Sequence, residues 1–227
     1  MSKRIDRAVH GPSWTEVVVG AVLSLLLGIV LAIVLLVFKP VMVSRVVPKE
    51  GERDPRAVYY IEGQHTGSRR AEALAKRKAF LDGQSVTIGE DEINALVAAG
   101  TTPAPAEAGQ SKGVAARNDA LAVGMVNFRI RDGVMQVGAP VQVRVLGLDQ
   151  RIIVQARGGF AKSGDVFVFS PSELYLGSCP VQNLPFLARY VRNQFVAAQP
   201  IPADLAGAWG KLADVAIEGD VLKLTMP

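Results

Sequence analysis

An α+β domain carried behind a single transmembrane helix is the fold class this sequence predicts, and three observations predict it. Residues 17–38 contain no charged side chain. From position 121 onward, apolar and polar residues alternate through strand after strand. Stretches of helical apolar spacing stand on either side of that region. The expected molecule is an N-terminal single transmembrane helix followed by a curved antiparallel β-meander covered by helices. Its expected divisions are a tail at 1–16, the transmembrane helix at 17–38, a connector at 39–67 and an α+β domain at 68–227.

As a helix, the apolar run would extend about 33 Å, against a hydrocarbon core of about 30 Å. Trp14 precedes it, where an indole would lie among headgroups, and Lys39 and Pro40 end it. A cleaved signal peptide would have an apolar stretch of about 7–15 residues and a small-residue cleavage site. This run is longer, and no good Ala-x-Ala cleavage site follows it. Lys39, Arg45, Lys49, Arg53 and Arg56 outnumber Lys3, Arg4 and Arg7, which by count favours a cytoplasmic C-terminal side. A short basic tail ahead of a long apolar run is also the form of an uncleaved signal-anchor. The expectation adopted is a cell-membrane protein with an extracytoplasmic C-terminal domain. Within the run, Gly20, Ser24, Gly28 and Ala32 recur every four residues. Such a stripe lets a second copy or a partner transmembrane helix approach closely, although small residues are common in membrane helices.

The connector carries Pro40, Pro48, Pro55, Gly51, Gly63 and Gly67, with short strands expected at 41–47 and 57–61. Ser68 reads as the N-cap and Gly83 as the stop of a first domain helix. Arg69, Arg70, Lys76, Arg77 and Lys78 make it basic. A surface for lipid headgroups has that composition, and so does a solvated domain face. A strand at 85–88 leads into a second helix that ends at Gly100. Glu90, Asp91 and Glu92 load its first turn, where acids suit the helix dipole. The segment at 101–113, rich in Pro, Ala and Gly, reads as a flexible loop.

In the strand region Val126, Phe128 and Ile130 alternate with Asn127, Arg129 and Arg131, giving one buried and one wet face. Asp132-Gly133 marks a hairpin. The next strand alternates through Met135, Val137, Val141, Val143 and Val145, and Pro140 within it calls for a bulge or an edge. Strands at 151–160, 166–169 and 174–176 follow. Helices at 184–198 and 203–212 are placed to cover the sheet, and strands at 215–217 and 221–226 close the chain.

Thr87 and Glu90 followed by Ile93, Asn94, Ala95 and Leu96 have the form S/T-x-x-E-x-x-I-N-A-L. Ile217, Gly219, Leu222 and Leu224 have the form I-x-G-x-x-L-x-L. With an anchor before them and a meander between, these segments resemble small membrane-anchored bacterial proteins of the YpmS-like type. They are similar, more loosely, to small bacterial lipid-binding-like domains whose curved sheet wraps a long helix. The resemblance covers about residues 85–227, implies a curved sheet wrapped on a helix, and brings no catalytic residues with it. The loop at 101–113 and the basic helix depart from it.

Charge and motif content narrow the function. A net charge of +4, with no basic stripe interleaved with aromatics, argues against nucleic acid. No Walker sequence, G-x-G-x-x-G or G-x-S-x-G elbow is present. His10 and His65 belong to no cluster with metal-ligand spacing. No catalytic residue, metal or cofactor is therefore expected. Cys179 is alone; Leu176-Gly177-Ser178-Cys179 slightly mimics a lipidation box, but no apolar run precedes it, and a small packing residue at a turn is the expected role. The expected function is a membrane-anchored, non-enzymatic domain that binds a lipid or other apolar ligand, with membrane lipid as its partner. Its groove would be lined by Val126, Phe128, Val143, Val168 and Phe195. The alternative is a structural or assembly subunit acting through the Gly20, Ser24, Gly28 and Ala32 stripe. On that alternative, Gly28→Leu should abolish a crosslinked dimer or partner in membranes, and undiminished crosslinking would remove the stripe's claim.

Overall fold

The computed structural model describes residues 13–49, 51, 53–64, 67–100, 121–145, 147–184, 189 and 203–227. The loop expected at 101–113, most of the helix expected at 184–198, Phe195, both histidines and the basic tail residues lie outside the described residues. Helix α1 (Trp14–Phe38) starts ahead of the expected position because Ser13 caps it. The Ser13 hydroxyl accepts from the Glu16 N–H at 3.3 Å, and the Glu16 carboxylate accepts from the Ser13 N–H at 3.2 Å. That capping box is legible in Ser13-Trp14-Thr15-Glu16. The helix is long and apolar enough to cross a membrane, and none of its residues is buried.

Short strands β1 (Met42–Ser44) and β2 (Tyr59–Ile61) pair in parallel. Helix α2 (Arg70–Leu81) follows a 3-10 turn at Gly67–Arg69, so Ser68 lies inside that turn instead of capping the helix. Gly83 stops the helix with φ +82°. Strand β3 (Val86–Gly89) runs into α3 (Glu90–Gly100). Next come β4 (Leu121–Val123), β5 (Asn127–Arg131), β6 (Val134–Val145), β7 (Leu148–Ser163), β8 (Val166–Leu176) and β9 (Cys179–Pro180). Helix α4 (Ala203–Trp209) and strands β10 (Asp214–Glu218) and β11 (Val221–Thr225) complete the described chain. The molecule is thus α+β, with one antiparallel sheet ordered β10-β11-β3 and a larger one ordered β4-β6-β7-β8-β9, β5 lying beside β6.

Two prolines shape the larger sheet. The Pro140 carbonyl accepts from the Gly124 N–H at 2.7 Å, so the side of β6 that lacks a donor faces the outer edge. There the edge strand parts into β4 and β5. Pro171 sits beside a register shift at Arg157/Gly158, where β8 has one residue more than β7. That bulge absorbs the proline, so the strands expected at 166–169 and 174–176 are one strand.

The core lies between the inner face of this sheet, the smaller sheet and helices α2 and α4. Ile130, Met135, Ala156, Phe169 and Leu174 supply the sheet's share, and Phe80 and Trp209 come from the helices. Phe160 meets Phe169 edge-on at 5.8 Å between ring centres, and Trp209 stands 6.2 Å from Phe160 and 6.4 Å from Phe80. The Trp209 indole N–H donates to the Phe167 carbonyl at 2.9 Å, satisfying the one polar atom of that cluster.

Among the described residues strand β5 has a sheet neighbour on one side only, and α3 seals the other. The Asn94 amide donates to the Phe128 carbonyl at 2.7 Å and accepts from the Phe128 N–H at 2.8 Å. The Glu90 carboxylate accepts from the Ile130 N–H at 3.0 Å. Both side chains are buried, at 4% and 7% exposure, so the contacts satisfy groups that water does not reach. Asn94→Ala leaves two strand groups unpaired and should destabilise the fold by about 2–4 kcal/mol in equilibrium denaturation. A loss under about 1 kcal/mol would show that water or backbone shifts replace the amide.

Candidate functional site

The connector roofs the outer face of the larger sheet. Where α1 ends, its last carbonyls have no partner within the helix. The Ser178 N–H donates to the Leu36 carbonyl at 3.1 Å, and the Ser178 hydroxyl lies 3.1 Å from the Lys39 carbonyl and 3.3 Å from that of Pro40. Gly177 makes this approach feasible: it has φ +58°, and a Cβ there would stand 1.9 Å from the Val37 carbonyl oxygen. The Leu176–Cys179 segment is therefore the turn on which the helix end is docked, and Cys179 is buried beneath it, its thiol pushed up by burial.

From there the chain crosses the sheet. Tyr60, 3% exposed, lies on Gly138, where a Cβ would come within 2.2 Å of the ring. The Gln136 amide donates to the Ile61 carbonyl at 3.0 Å, and the Gly63 N–H donates to the Asn127 amide oxygen at 2.7 Å. Strand β2 divides the space beneath. On the Tyr60 side a hollow of about 750 Å³ is bounded by Val43, Arg45, Met125, Pro140 and Ile153. On the Tyr59 and Ile61 side a hollow of about 550 Å³ lies between Val47, Pro48 and Arg53 above and Arg129, Arg157 and Tyr175 below.

Arg129 and Arg157, which line the second hollow, belong to a cross-strand row, Arg129 beside Gln136, Gln136 beside Arg157, and Arg157 beside Glu173. Arg157 Nε donates to Gln136 Oε1 at 3.1 Å, and its guanidinium lies 3.8 Å from Glu173. Arg131 pairs with Glu90 at 3.3 Å and with Asp220. The Arg129 guanidinium alone of the three has no hydrogen bond or ion pair with the described residues. Burial holds this guanidinium below the ordinary arginine value; Glu90 and Asp132 oppose that shift, and Arg131 and Arg157 add to it. It remains a cation, because arginine does not deprotonate in proteins at physiological pH.

The residues expected to line an apolar groove do not come together. Phe128 packs against the core. Val168 points to the face opposite Phe167 and Phe169, as strand alternation requires. Val126 stands between β4 and β5, Val143 lies toward the far end of β6, and none of the four lines either hollow. Phe195 is outside the described residues. Of the basic helix, Lys76 binds the buried Glu92 at 2.6 Å, Arg69 binds Glu72 at 3.1 Å, and Arg77 binds Asp204. Arg70 and Lys78 are left as its outward charges. The arginine row was hidden from sequence reading because Arg129 and Arg157 meet only through the β6 register. The alternation in Asn127 to Arg131 was its one local signal. Among the described residues no three His, Cys, Asp or Glu side chains gather as a metal would require.

No family model, curated protein or solved structure matches this chain.

Burial, with Glu62 nearby, pushes the Tyr60 hydroxyl from 10.0 up to about 12. The fold thereby favours neutral Tyr60, a stabilisation fully present below the unfolded value and lost as pH climbs through the folded one. Over that window of about two units the loss amounts to about 3 kcal/mol. Denaturation midpoints of wild type should fall above pH 10.0 more steeply than those of Tyr60→Phe. Near neutral pH the two should agree within about 1 kcal/mol, since this hydroxyl has no hydrogen-bond partner among the described residues.

Proposed function

We propose that this chain is a membrane-anchored, non-enzymatic binding domain that takes a lipid or comparable amphiphile in the groove beneath its connector. The observation that carries the reading is the division of space between the two faces of the larger sheet. The inner face is filled by interlocked rings from Phe80, Phe160, Phe169 and Trp209. The outer face keeps two hollows under a roof, each of a size that suits a small ligand. The resemblance to lipid-binding-like domains supports the same class of ligand, with the site moved from the core to the outer face.

In this reading α1 crosses the bilayer, the domain stands on the extracytoplasmic side, and the Gly177-Ser178 turn lies where the helix leaves the hydrocarbon. Val43 and Val47 are exposed on the roof and line the hollows, giving an acyl chain apolar surface close to its source. Each methylene withdrawn from water contributes about 0.8 kcal/mol. The Gly20, Ser24, Gly28 and Ala32 stripe stays open to a second copy or a partner helix, since nothing lies within 4 Å of a Cβ placed on Gly20 or Gly28.

Native mass spectrometry of the full chain, extracted in detergent, tests the reading. Wild type should retain lipid at near-stoichiometric amount. Val47→Glu, which puts a charge on an exposed lining residue, should lose most of it without a change in melting temperature. Lipid that merely coats α1 would be retained equally by both proteins, and that result would overturn the proposal.

A further inference from the structure

We infer that Arg129, with Arg157 and Arg131 beside it, forms a subsite for a phosphoryl oxyanion within the 550 Å³ hollow. The inference rests on that hollow being the place where ligand binds, and it adds the chemistry of the ligand's polar end. Three guanidiniums from β5 and β7 border one space, and Arg53 borders it from the roof. Neighbouring strands are about 4.8 Å apart, so the two ends of the Arg129-Gln136-Arg157 row are about 10 Å apart at the backbone. Side chains of that length converge readily across such a gap. Asp132, which is exposed, also borders the hollow and attracts Arg129 at a distance without an ion pair to it, and the other nearby anions are already engaged. Glu90 and Asp220 hold Arg131, Glu173 stands with Arg157, and Glu90 also accepts from the Ile130 and Gln64 N–H groups. Gln136 is spent as well, its oxygen on Arg157 and its nitrogen on the Ile61 carbonyl.

Arg129 is therefore a half-buried fork beside two like charges, with no anion of the described residues in ion-pair contact. A carboxylate fills a single fork. A tetrahedral phosphoryl group presents several oxygens in different directions and can accept from guanidiniums arriving on different strands. Tyr59 and Tyr175 at the same hollow can donate to an ester or hydroxyl oxygen beside the phosphate. The phosphoryl group can belong to a membrane lipid headgroup or to a soluble phosphate compound, and the chemistry of recognition is common to both.

The test uses the full chain in neutral detergent micelles, titrated calorimetrically with pyrophosphate and, separately, with phosphatidylglycerol against phosphatidylcholine. At least one phosphoryl probe should bind. Arg129→Gln should weaken it about tenfold or more, a change of about 1.4 kcal/mol, and Arg157→Gln should weaken it in the same direction. Arg70→Gln, on the exposed face of α2, should leave binding unchanged. Affinity should fall with added salt. The melting temperature without ligand should not drop in Arg129→Gln, because its guanidinium makes no hydrogen bond or ion pair with the described residues and its attractions to Glu90 and Asp132 are offset by repulsion from Arg131 and Arg157; a residue serving only the fold would lower it. Binding of phosphatidylglycerol alone assigns the source to the membrane, and binding of pyrophosphate alone assigns it to a soluble compound. No binding of either probe, or binding that Arg129→Gln leaves intact, overturns the inference. If Val47→Glu loses lipid while Arg129→Gln keeps phosphoryl affinity, the groove stands and the subsite falls. The reverse pattern keeps the subsite and removes the acyl-binding roof.

Discussion

The unpaired edge of strand β5 is the constraint on which the rest of this structure depends. A strand with one neighbour leaves every second backbone group pointing outward, and here those groups are buried under α3 and the connector. They are satisfied by side chains instead of by another strand. Asn94 takes both polar groups of Phe128, Glu90 takes the Ile130 N–H, and Asn127 takes the Gly63 N–H. Because these contacts come from three separate segments, they set where α3 lies, how β5 is held against β6, and where the connector returns to the sheet. The inner face can then close over its aromatic cluster, and the outer face acquires a roof.

The same contacts explain what sequence reading could and could not recover. Glu90 and Asn94 stand out within the Thr87 to Leu96 segment, and both are legible as helix-start and helix-interior residues. Their partners on Phe128 and Ile130 are not, because nothing local relates α3 to a strand that begins about thirty residues later. Helix α1, the Asp132-Gly133 turn and the alternation of β5 and β6 were legible, since each depends on residues close in sequence. The bulge at Ser172 was not, because a proline in a strand states a local problem without naming the neighbour that solves it. Site residues are harder to read for a related reason. Val126, Phe128, Val143 and Val168 are apolar strand positions, and alternation alone does not distinguish a residue that fills a core from one that lines a hollow. Val168 went to the other face altogether, and the cations that do share a space were grouped by pairing across three strands.

The basic helix offers a parallel case. Five positive residues in a short stretch suggest a surface for anions, yet three are consumed inside the domain by Glu92, Glu72 and Asp204. Glu92 also accepts from the Gly89 N–H at 2.8 Å, so one carboxylate both caps α3 and ties α2 to it. Charge counts along a helix overstate the free field wherever a neighbouring helix begins with acids. At β5 the Arg129 guanidinium is left without an ion pair among the described residues although the arginines beside it are paired.

The Ser178 hydroxyl lies within hydrogen-bond distance of two successive carbonyls just past the end of α1, while the Ser178 N–H holds a third one turn earlier. A helix gripped at one carbonyl could still spin about its own axis; one gripped by both the N–H and the hydroxyl of Ser178, on a turn of the sheet, has lost that freedom. The azimuth of α1 is therefore dictated by the domain. Whatever neighbour the face bearing Gly20 and Gly28 meets, the mouth of the groove will stand at a set bearing to it, so that two copies joined through their helices would present their grooves in a symmetric and fixed relation.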